Sequence, residues 1–489
     1  MDTDTGKWLK LRSGSNIRSR AENLTDETCA RIGYAFARML AQRLNTTPDR
    51  LTIAAGSDER PSGARIRAAI IRGLTAADAD VLDGGTCAMP ALFGRVARAP
   101  RDNAVQGAVM VTGGHSSEEI NGFKFFTATG SLNEADIALL LRMAAADAVP
   151  RRLVTQVDLM EDYRAGLIER AAVLLDDQAL KPLLGLYVVV DAGSVGGAFF
   201  ADLMETLGAD VERLQGEDVG TATARFEADL GFAFDADCAL THLYDSMGKA
   251  VDGNRMIAMI AAWLLDKQSG LTIVTDSVTS TGLSAFIAEW GGVHYRFKRG
   301  YRNVIAEAMR VNAEGIDCPL AIETSGHAAF RENSFLDDGI YLALRVACWA
   351  LDCKREGKTV FDPLIDLSEP VEAQALRLRL LDEEDPAAAS QEVVEVILSH
   401  TLVNPEWQMA PDSREGVRIT FNLDGGINNA WFQLRMSVHD PVMVLNAESD
   451  IPGGVRRVLS ALYELIRDTE LLDLAPLREA IEAPEQAHV

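Results

Sequence analysis

Four short runs carry side chains that could do chemistry together. Thr112-Gly113-Gly114-His115-Ser116-Ser117, followed closely by Asn121-Gly122-Phe123-Lys124, offers an imidazole, hydroxyls and an ammonium. Imidazole can carry a phosphoryl group without a tightly bound metal, or shuttle protons near neutrality, so His115 is the candidate nucleophile and Ser116 and Ser117 are further candidates. Phe234-Asp235-Ala236-Asp237 supplies two carboxylates, Asp235 and Asp237, but Mg2+ takes six oxygens, so this pair would depend on water or a ligand phosphate. Glu323-Thr324-Ser325-Gly326-His327 puts Glu323 and His327 four apart. On one helical turn or an adjoining loop, they could share vicinal hydroxyls of a sugar, with Ser325 beside them. Arg435, Ser437 and His439 in Arg435-Met436-Ser437-Val438-His439-Asp440 form a fourth polar run, and Arg18, Arg60, Arg296 and Lys298 add cations.

These cations stand against the chain's overall charge. Lys plus Arg is 47 and Asp plus Glu is 72 in 489 residues, a net charge of −25. Such a field repels nucleic acid, anionic membrane and phosphorylated ligands alike, so neither of the first two is an expected partner, and a phosphate site must be built from locally gathered cations. Apolar residues make up 48% and charged residues 24%, a globular composition. Six scattered cysteines without metal-ligand spacing fit reduced thiols in a cytoplasmic protein. The strongest apolar run, Met256 to Leu265, is far shorter than the roughly 20 residues of a membrane span.

The elements that must position the runs follow a repeated strand, loop, helix rhythm. Leu24 to Leu44 places Cys29, Ile32, Phe36, Met39, Leu40 and Leu44 on one helical face with Thr25 as N-cap. The apolar run from Leu51, stopped by Gly56, reads as a strand, then come a helix after Ser62 and a strand at Ala79 to Leu82 ended by Asp83-Gly84-Gly85. The rhythm restarts at Leu186 and again at Leu271, giving three α/β units. From about Asp366 the pattern changes to strands at Val417 to Phe421, Trp431 to Met436 and Val442 to Leu445, then a helix turning Val455, Val458, Leu459, Leu462, Leu465 and Ile466 inward, an α+β tail. The turn Asp191-Ala192-Gly193-Ser194-Val195-Gly196-Gly197 invites a dinucleotide reading, but its spacing is not G-x-G-x-x-G and a tight strand-to-helix turn explains it.

In this order and spacing the four runs resemble those of the α-D-phosphohexomutase family, over essentially the whole chain. Gly14-Ser15-Asn16-Ile17-Arg18 resembles the family's opening G-[ST]-x-I-R, Gly56-Ser57-Asp58-Glu59-Arg60-Pro61-Ser62-Gly63 its G-R-D-x-R-x-S-G turn, and Arg296-Phe297-Lys298-Arg299-Gly300 its R-T-x-V-G stretch. The resemblance implies a heart-shaped, four-domain architecture: α/β domains at 1–150, 151–268 and 269–365, and a smaller α+β domain at 366–489. It implies a phosphorylated sugar as ligand, a phosphoserine as phosphoryl donor, Mg2+ on an aspartate loop, Lys124 as acid–base group, Glu323, Ser325 and His327 on the sugar, and Arg435 and Ser437 on the nonreacting phosphate.

The pattern breaks at the chemistry. Gly114 stands where the nucleophilic serine belongs, Ala239 takes the third aspartate's place and Leu240 that of the following arginine, so the loop is short of ligands for Mg2+ and the expected cofactor is Mg2+ on an incomplete site or none. Val438 and His439 replace Gly and Thr of the phosphate loop, and Ser57 replaces an Arg. The binding cations are retained. Three readings follow: an isomerase that transfers a phosphoryl group or moves protons by a non-standard route, a phosphosugar-binding pseudoenzyme or sensor, and an ordinary phosphoglucomutase or phosphomannomutase that tolerates the substitutions.

Overall fold

The computed structural model describes residues 3–97, 105–146, 155–175, 180–251, 253–381, 385–437 and 440–483. Among them the chain divides into two compact units, residues 1–252 with 326–362, and residues 253–325 with 363–489. The molecule is a mixed α/β protein with several sheets, each flanked by helices.

In the first unit, the strand Thr52–Ser57 runs parallel to Asp80–Thr86 and Gly107–Val111, and Ile120–Thr127 returns antiparallel beside Gly107–Val111. The pairing fixes the chemistry-bearing loop. Ser57 sits opposite Val111, so the two strands end together, and the Asp58 amide donates to the Val111 carbonyl (3.0 Å). Lys124 lies opposite Met110 on the returning strand. The helix Asp26–Arg43 covers this sheet through Cys29, Ile32, Phe36, Met39 and Leu40. Thr25 caps it, accepting from the Thr28 amide, a bond worth about 1 kcal/mol. Leu44, expected inward, is the C-cap residue beyond the last helical turn and is exposed. Two strands also outrun their expected ends: Gly56 stays within Thr52–Ser57, and Asp80–Thr86 continues past Asp83 through a bulge where Gly85 takes φ +64° and the ladder resumes at Ser57 opposite Thr86.

The second sheet of this unit places Tyr187–Asp191 between Asp210–Leu214 and Leu230–Phe234, all parallel, with Thr241–Tyr244 antiparallel at its side. Phe234 pairs with Thr241, so residues 235–240 form the connection of a hairpin. The helix Val195–Leu207 opens at the glycine-rich turn. Ser194 Oγ accepts from the Gly197 amide, and Glu59 accepts from the Val195 amide (2.7 Å), so protein oxygens hold the donors a pyrophosphate would need. Gly196 packs on Cys238, whose sulfur a Cβ there would overlap.

In the second unit, Thr272–Thr275 lies parallel to Val293–Arg296 on one side and Leu320–Ile322 on the other. The three strand ends deliver Asp276, the 297–300 turn and Glu323 to one edge, where α/β sheets place ligands. The C-terminal sheet is antiparallel in the order Glu372–Arg379, Val442–Ser449, Ala430–Met436, Val417–Phe421, Gln408–Met409. The helix Gly454–Ile466 buries Val455, Val458, Leu459, Leu462 and Ile466 in its core, whereas Leu465 is only partly buried. Glu372–Arg379 and the helix Pro386–Thr401 were not foreseen. The strand is mostly exposed on both faces and shows no apolar alternation.

Candidate functional site

Arg60 builds the loop in the first unit. Its guanidinium meets Asp58 (3.0 Å) and donates to the carbonyls of Gly114 (2.5 Å), Ser116 (2.7 Å), Ser117 (2.5 Å) and Ile120 (3.1 Å). Every N–H of this buried side chain is therefore engaged by the protein. The sequence places Arg60 among ligand-binding cations; the structure makes it the clamp that shapes residues 114–120, since a bare row of loop carbonyls needs donors. Thr112 Oγ1 accepts from the Gly114 amide (2.8 Å). Gly114 has φ +56°, and a Cβ there would lie 2.7 Å from Arg18 Nη2. A serine at this position would meet both left-handed strain and the Arg18 guanidinium, which also donates to Ser116 Oγ (3.2 Å). Ser57 Oγ accepts from Arg67 (2.6 Å).

His115 follows, with 51% of its side chain exposed and Nδ1 3.5 Å from Asp235 Oδ2. Lost hydration and the neighbouring His327, ahead of Lys124 and Arg18, lower its proton affinity to about 4, so the ring is neutral at pH 7. The His115 and His327 rings lie edge to face with centroids 6.0 Å apart, and His327 Nδ1 is 2.8 Å from the buried Asp337 carboxylate. His327 thus sits on the turn before the strand Ala328–Phe330 and keeps company with His115. It shares no helical turn with Glu323, which falls in the other unit.

Asp235 and Asp237 are both buried beside this pair. Lys124 Nζ lies 2.8 Å from Asp237 Oδ2, with both side chains almost wholly enclosed. Burial alone would raise the Asp237 carboxyl, but the Lys124 charge and the hydrogen bonds from Asp235 and Lys124 hold it below the usual range. Burial and the Asp237 charge push Asp235 well above that range. The family's Mg2+ needs more oxygen than this. Ala239, at the third ligand's place, is fully buried in an apolar cluster with Met89, Leu92 and Leu336, and among the described residues no group of three His, Cys, Asp or Glu side chains could hold an ion. The residues present do not fit Mg2+.

The second unit gathers a different set. Glu323 accepts from the Gly300 amide (2.5 Å) and from Ser325 Oγ (3.3 Å), and Asp276 accepts from the Thr324 amide and hydroxyl (3.1 and 2.7 Å). Arg299 Nε lies 3.9 Å from Asp276, and Lys298 is exposed. Arg296 is occupied in the manner of Arg60: it pairs with Asp412 and donates to Thr279 Oγ1 (2.8 Å), the Ser280 carbonyl (2.7 Å) and Ser284 Oγ (2.5 Å). Arg435 differs. It is buried, its Nε has no hydrogen-bond partner among the described residues, its Glu415 neighbour is 3.7 Å away, and its bond to the Met436 carbonyl is long at 3.4 Å. Ser437 follows it on the chain, and His439 lies outside the described residues.

The structure therefore brings together Arg18, Arg60, His115, Ser116, Lys124, Asp235, Asp237 and His327 in one unit, and Arg296, Lys298, Glu323, Ser325, Arg435 and Ser437 in the other. Sequence reasoning did not find Asp337, Asp276 or Glu415 as site residues. Asp276 closes the run LTIVTD at a strand's C-terminal end, which is a usable signal. Asp337 is masked by Asp338, the N-cap of the helix Gly339–Arg355, and Glu415 stands in an irregular connection with no pattern to mark it.

In each unit, strand ends of an α/β sheet carry hydroxyls and charged side chains, the place where open α/β sheets bind polar ligands. The family profile for phosphoglucomutase/phosphomannomutase alpha/beta/alpha domain I matches residues 10–146, and that for domain III matches residues 252–367. The chain is 30% identical to a phosphoglucosamine mutase of Prochlorococcus marinus over 362 residues, covering 68% of this chain and 72% of that one. It is 28% identical to a phosphomannomutase/phosphoglucomutase of Pseudomonas aeruginosa over 465 residues, 89% and 91% of the two chains. Among solved structures, a phosphoglucomutase/phosphomannomutase family protein of Burkholderia thailandensis superposes with a TM-score of 0.76 at 21% identity, over 96% of this chain and 98% of the other. The chain belongs to the α-D-phosphohexomutase family. The family's members are isomerases of carbohydrate metabolism that move phosphoryl groups on hexoses. No described helix is long and apolar enough to cross a membrane.

Proposed function

We propose that this chain binds a phosphorylated hexose or similar ring and transfers its phosphoryl group through His115. The observation that carries the reading is the neutral, half-exposed imidazole next to Arg18, at the loop position following Gly114. A ring nitrogen lone pair attacks phosphorus, the bond from phosphorus to the sugar oxygen breaks, and the departing oxygen takes a proton from His327, which Asp337 orients. Attack by a second sugar hydroxyl, returning its proton to His327, puts the phosphoryl group on another carbon. Arg18, which also donates to Ser116 Oγ, neutralises the phosphoryl oxygens. The four-domain division at residues 150, 268 and 365, and a cytoplasmic setting, belong to the same reading.

The test is mass spectrometry after incubation with a labelled hexose bisphosphate. An acid-labile phosphate on His115, absent in His115→Asn, together with migration of phosphate between sugar carbons by phosphorus NMR, is the expected result. Acid-stable label on Ser116 or Ser117 would reject the histidine route. One observation favours a second reading, a phosphosugar sensor without turnover: Arg18 occupies the space beside Gly114 where a phosphorylated side chain would stand. Saturable binding without label or turnover would decide for it.

A further inference from the structure

We infer that the ammonium of Lys124, and no divalent cation, balances the buried Asp237 carboxylate, so that this chain assembles its loop and binds its ligand without Mg2+. Three observations converge. Lys124 Nζ contacts Asp237 Oδ2 at 2.8 Å, with the lysine side chain 7% and the aspartate side chain 0% exposed, a permanent pair in a place bulk ions reach poorly. The β register leaves Lys124 little choice: it faces Met110 inside a five-residue ladder, and its Nζ also lies 3.5 Å from Met89 Sδ. The third ligand position, Ala239, is committed to the apolar cluster with Met89 and Leu336, where an added carboxylate would be desolvated.

The consequence for chemistry is a division of labour. A lysine ammonium is a point charge on a stem fixed by its own strand, so it balances Asp237 in every step and leaves proton transfer to the imidazoles of His115 and His327. The inference stands whether the ligand is turned over or only bound, since it concerns the cation and not the phosphoryl group.

The experiment titrates the full-length protein with Mn2+ and follows the free aquo-ion by electron paramagnetic resonance, alongside thermal unfolding with Mg2+ and with EDTA. The expected result is that the free-ion signal tracks the added Mn2+ and that the unfolding temperature is the same in both solutions. Uptake of one equivalent, or a Mg2+-dependent rise in unfolding temperature, lost in Asp237→Asn, would overturn the inference. Lys124→Met removes the charge and keeps the bulk. A folded Lys124→Met protein is expected to lose stability in both solutions without taking up Mn2+, because Ala239 still supplies no oxygen, and a variant as stable as the wild type would refute the pairing of Lys124 with Asp237. If that variant does not fold, the wild-type titration decides alone.

Discussion

Arg60 in the first unit and Arg435 in the second are buried to the same extent, and both match positions where a phosphate-binding cation is expected, yet their donors have opposite fates. Arg60 has all of its N–H groups on Asp58 and four loop carbonyls. Arg435 has one long bond and a carboxylate at 3.7 Å. Burial and positive charge therefore do not mark a ligand-binding arginine; the state of its donors does. A guanidinium saturated by protein is an architectural part, and one enclosed with few and long contacts has donors left to offer, because desolvating a cation is costly unless something repays it with hydrogen bonds.

The sharpest way to break this contrast is Arg60→Ala. It leaves the Asp58 carboxylate enclosed and four carbonyls of the 114–120 segment without their donor, so unfolding free energy should fall by about 3–5 kcal/mol, as for other buried pairs with one partner removed. Arg60→Lys should recover little, since an ammonium cannot span carbonyls that a planar fork reaches together. Urea denaturation of the purified variants measures both. A loss for Arg60→Ala below about 1 kcal/mol would show that the clamp is ornamental.

Arg435→Ala should behave in the reverse sense. Glu415 retains donors from Ser277 Oγ (2.5 Å) and the Arg299 amide (3.1 Å), so removal of the guanidinium leaves no carboxylate stranded. Stability should change by less than about 1 kcal/mol. Affinity for hexose phosphates should fall by about 30- to 1,000-fold, the usual loss when a buried charge partner of a ligand is truncated. Calorimetry and thermal unfolding together separate the two effects. Arg296→Ala provides the control, because its occupied donors predict a stability loss in the range of Arg60→Ala.

How far the sequence reached can be argued from these same residues. Side-chain types and their spacing located the connections after Val111, Phe234 and Ile322, because strand ends in α/β sheets are punctuated by glycine and polar residues, and the helix from Asp26 was legible from its cap and its apolar face. Donor occupancy was not legible. Arg60 and Arg435 look alike as letters, and which one is saturated depends on carbonyls from a loop more than fifty residues away and on strand register. For the same reason the pair of Lys124 with Asp237 was not legible: nothing local announces a partner so far along the chain. The pairing of His327 with His115 was hidden by its neighbour Glu323 in sequence. The exposed strand Glu372–Arg379 lacked the alternation by which half-buried strands are recognised.

Arg418 lies between the two extremes and gives the smallest effect. It donates to the Ser277 and Thr279 carbonyls (both 3.0 Å) and its guanidinium rests 3.6 Å from the centre of the Trp431 ring, whose Nε1 donates to Glu448 (3.1 Å). Burial raises the Glu448 carboxyl from 4.5 to about 7, despite the opposing Arg418 charge and Trp431 bond. The native state then binds a proton more tightly than the unfolded chain, so stability should be fully present below pH 4.5 and decline as pH rises to about 7. Glu448→Gln keeps an acceptor for Trp431 and removes the titration. The variant should match the wild type near pH 4.5 and exceed it by about 1–2 kcal/mol above pH 7, read from chemical denaturation across that range. A variant less stable than the wild type above pH 7 would mean that Arg418 needs the carboxylate as a counter-charge, and would move it from the partly satisfied arginines to those, like Arg60, whose partners are fixed by the fold.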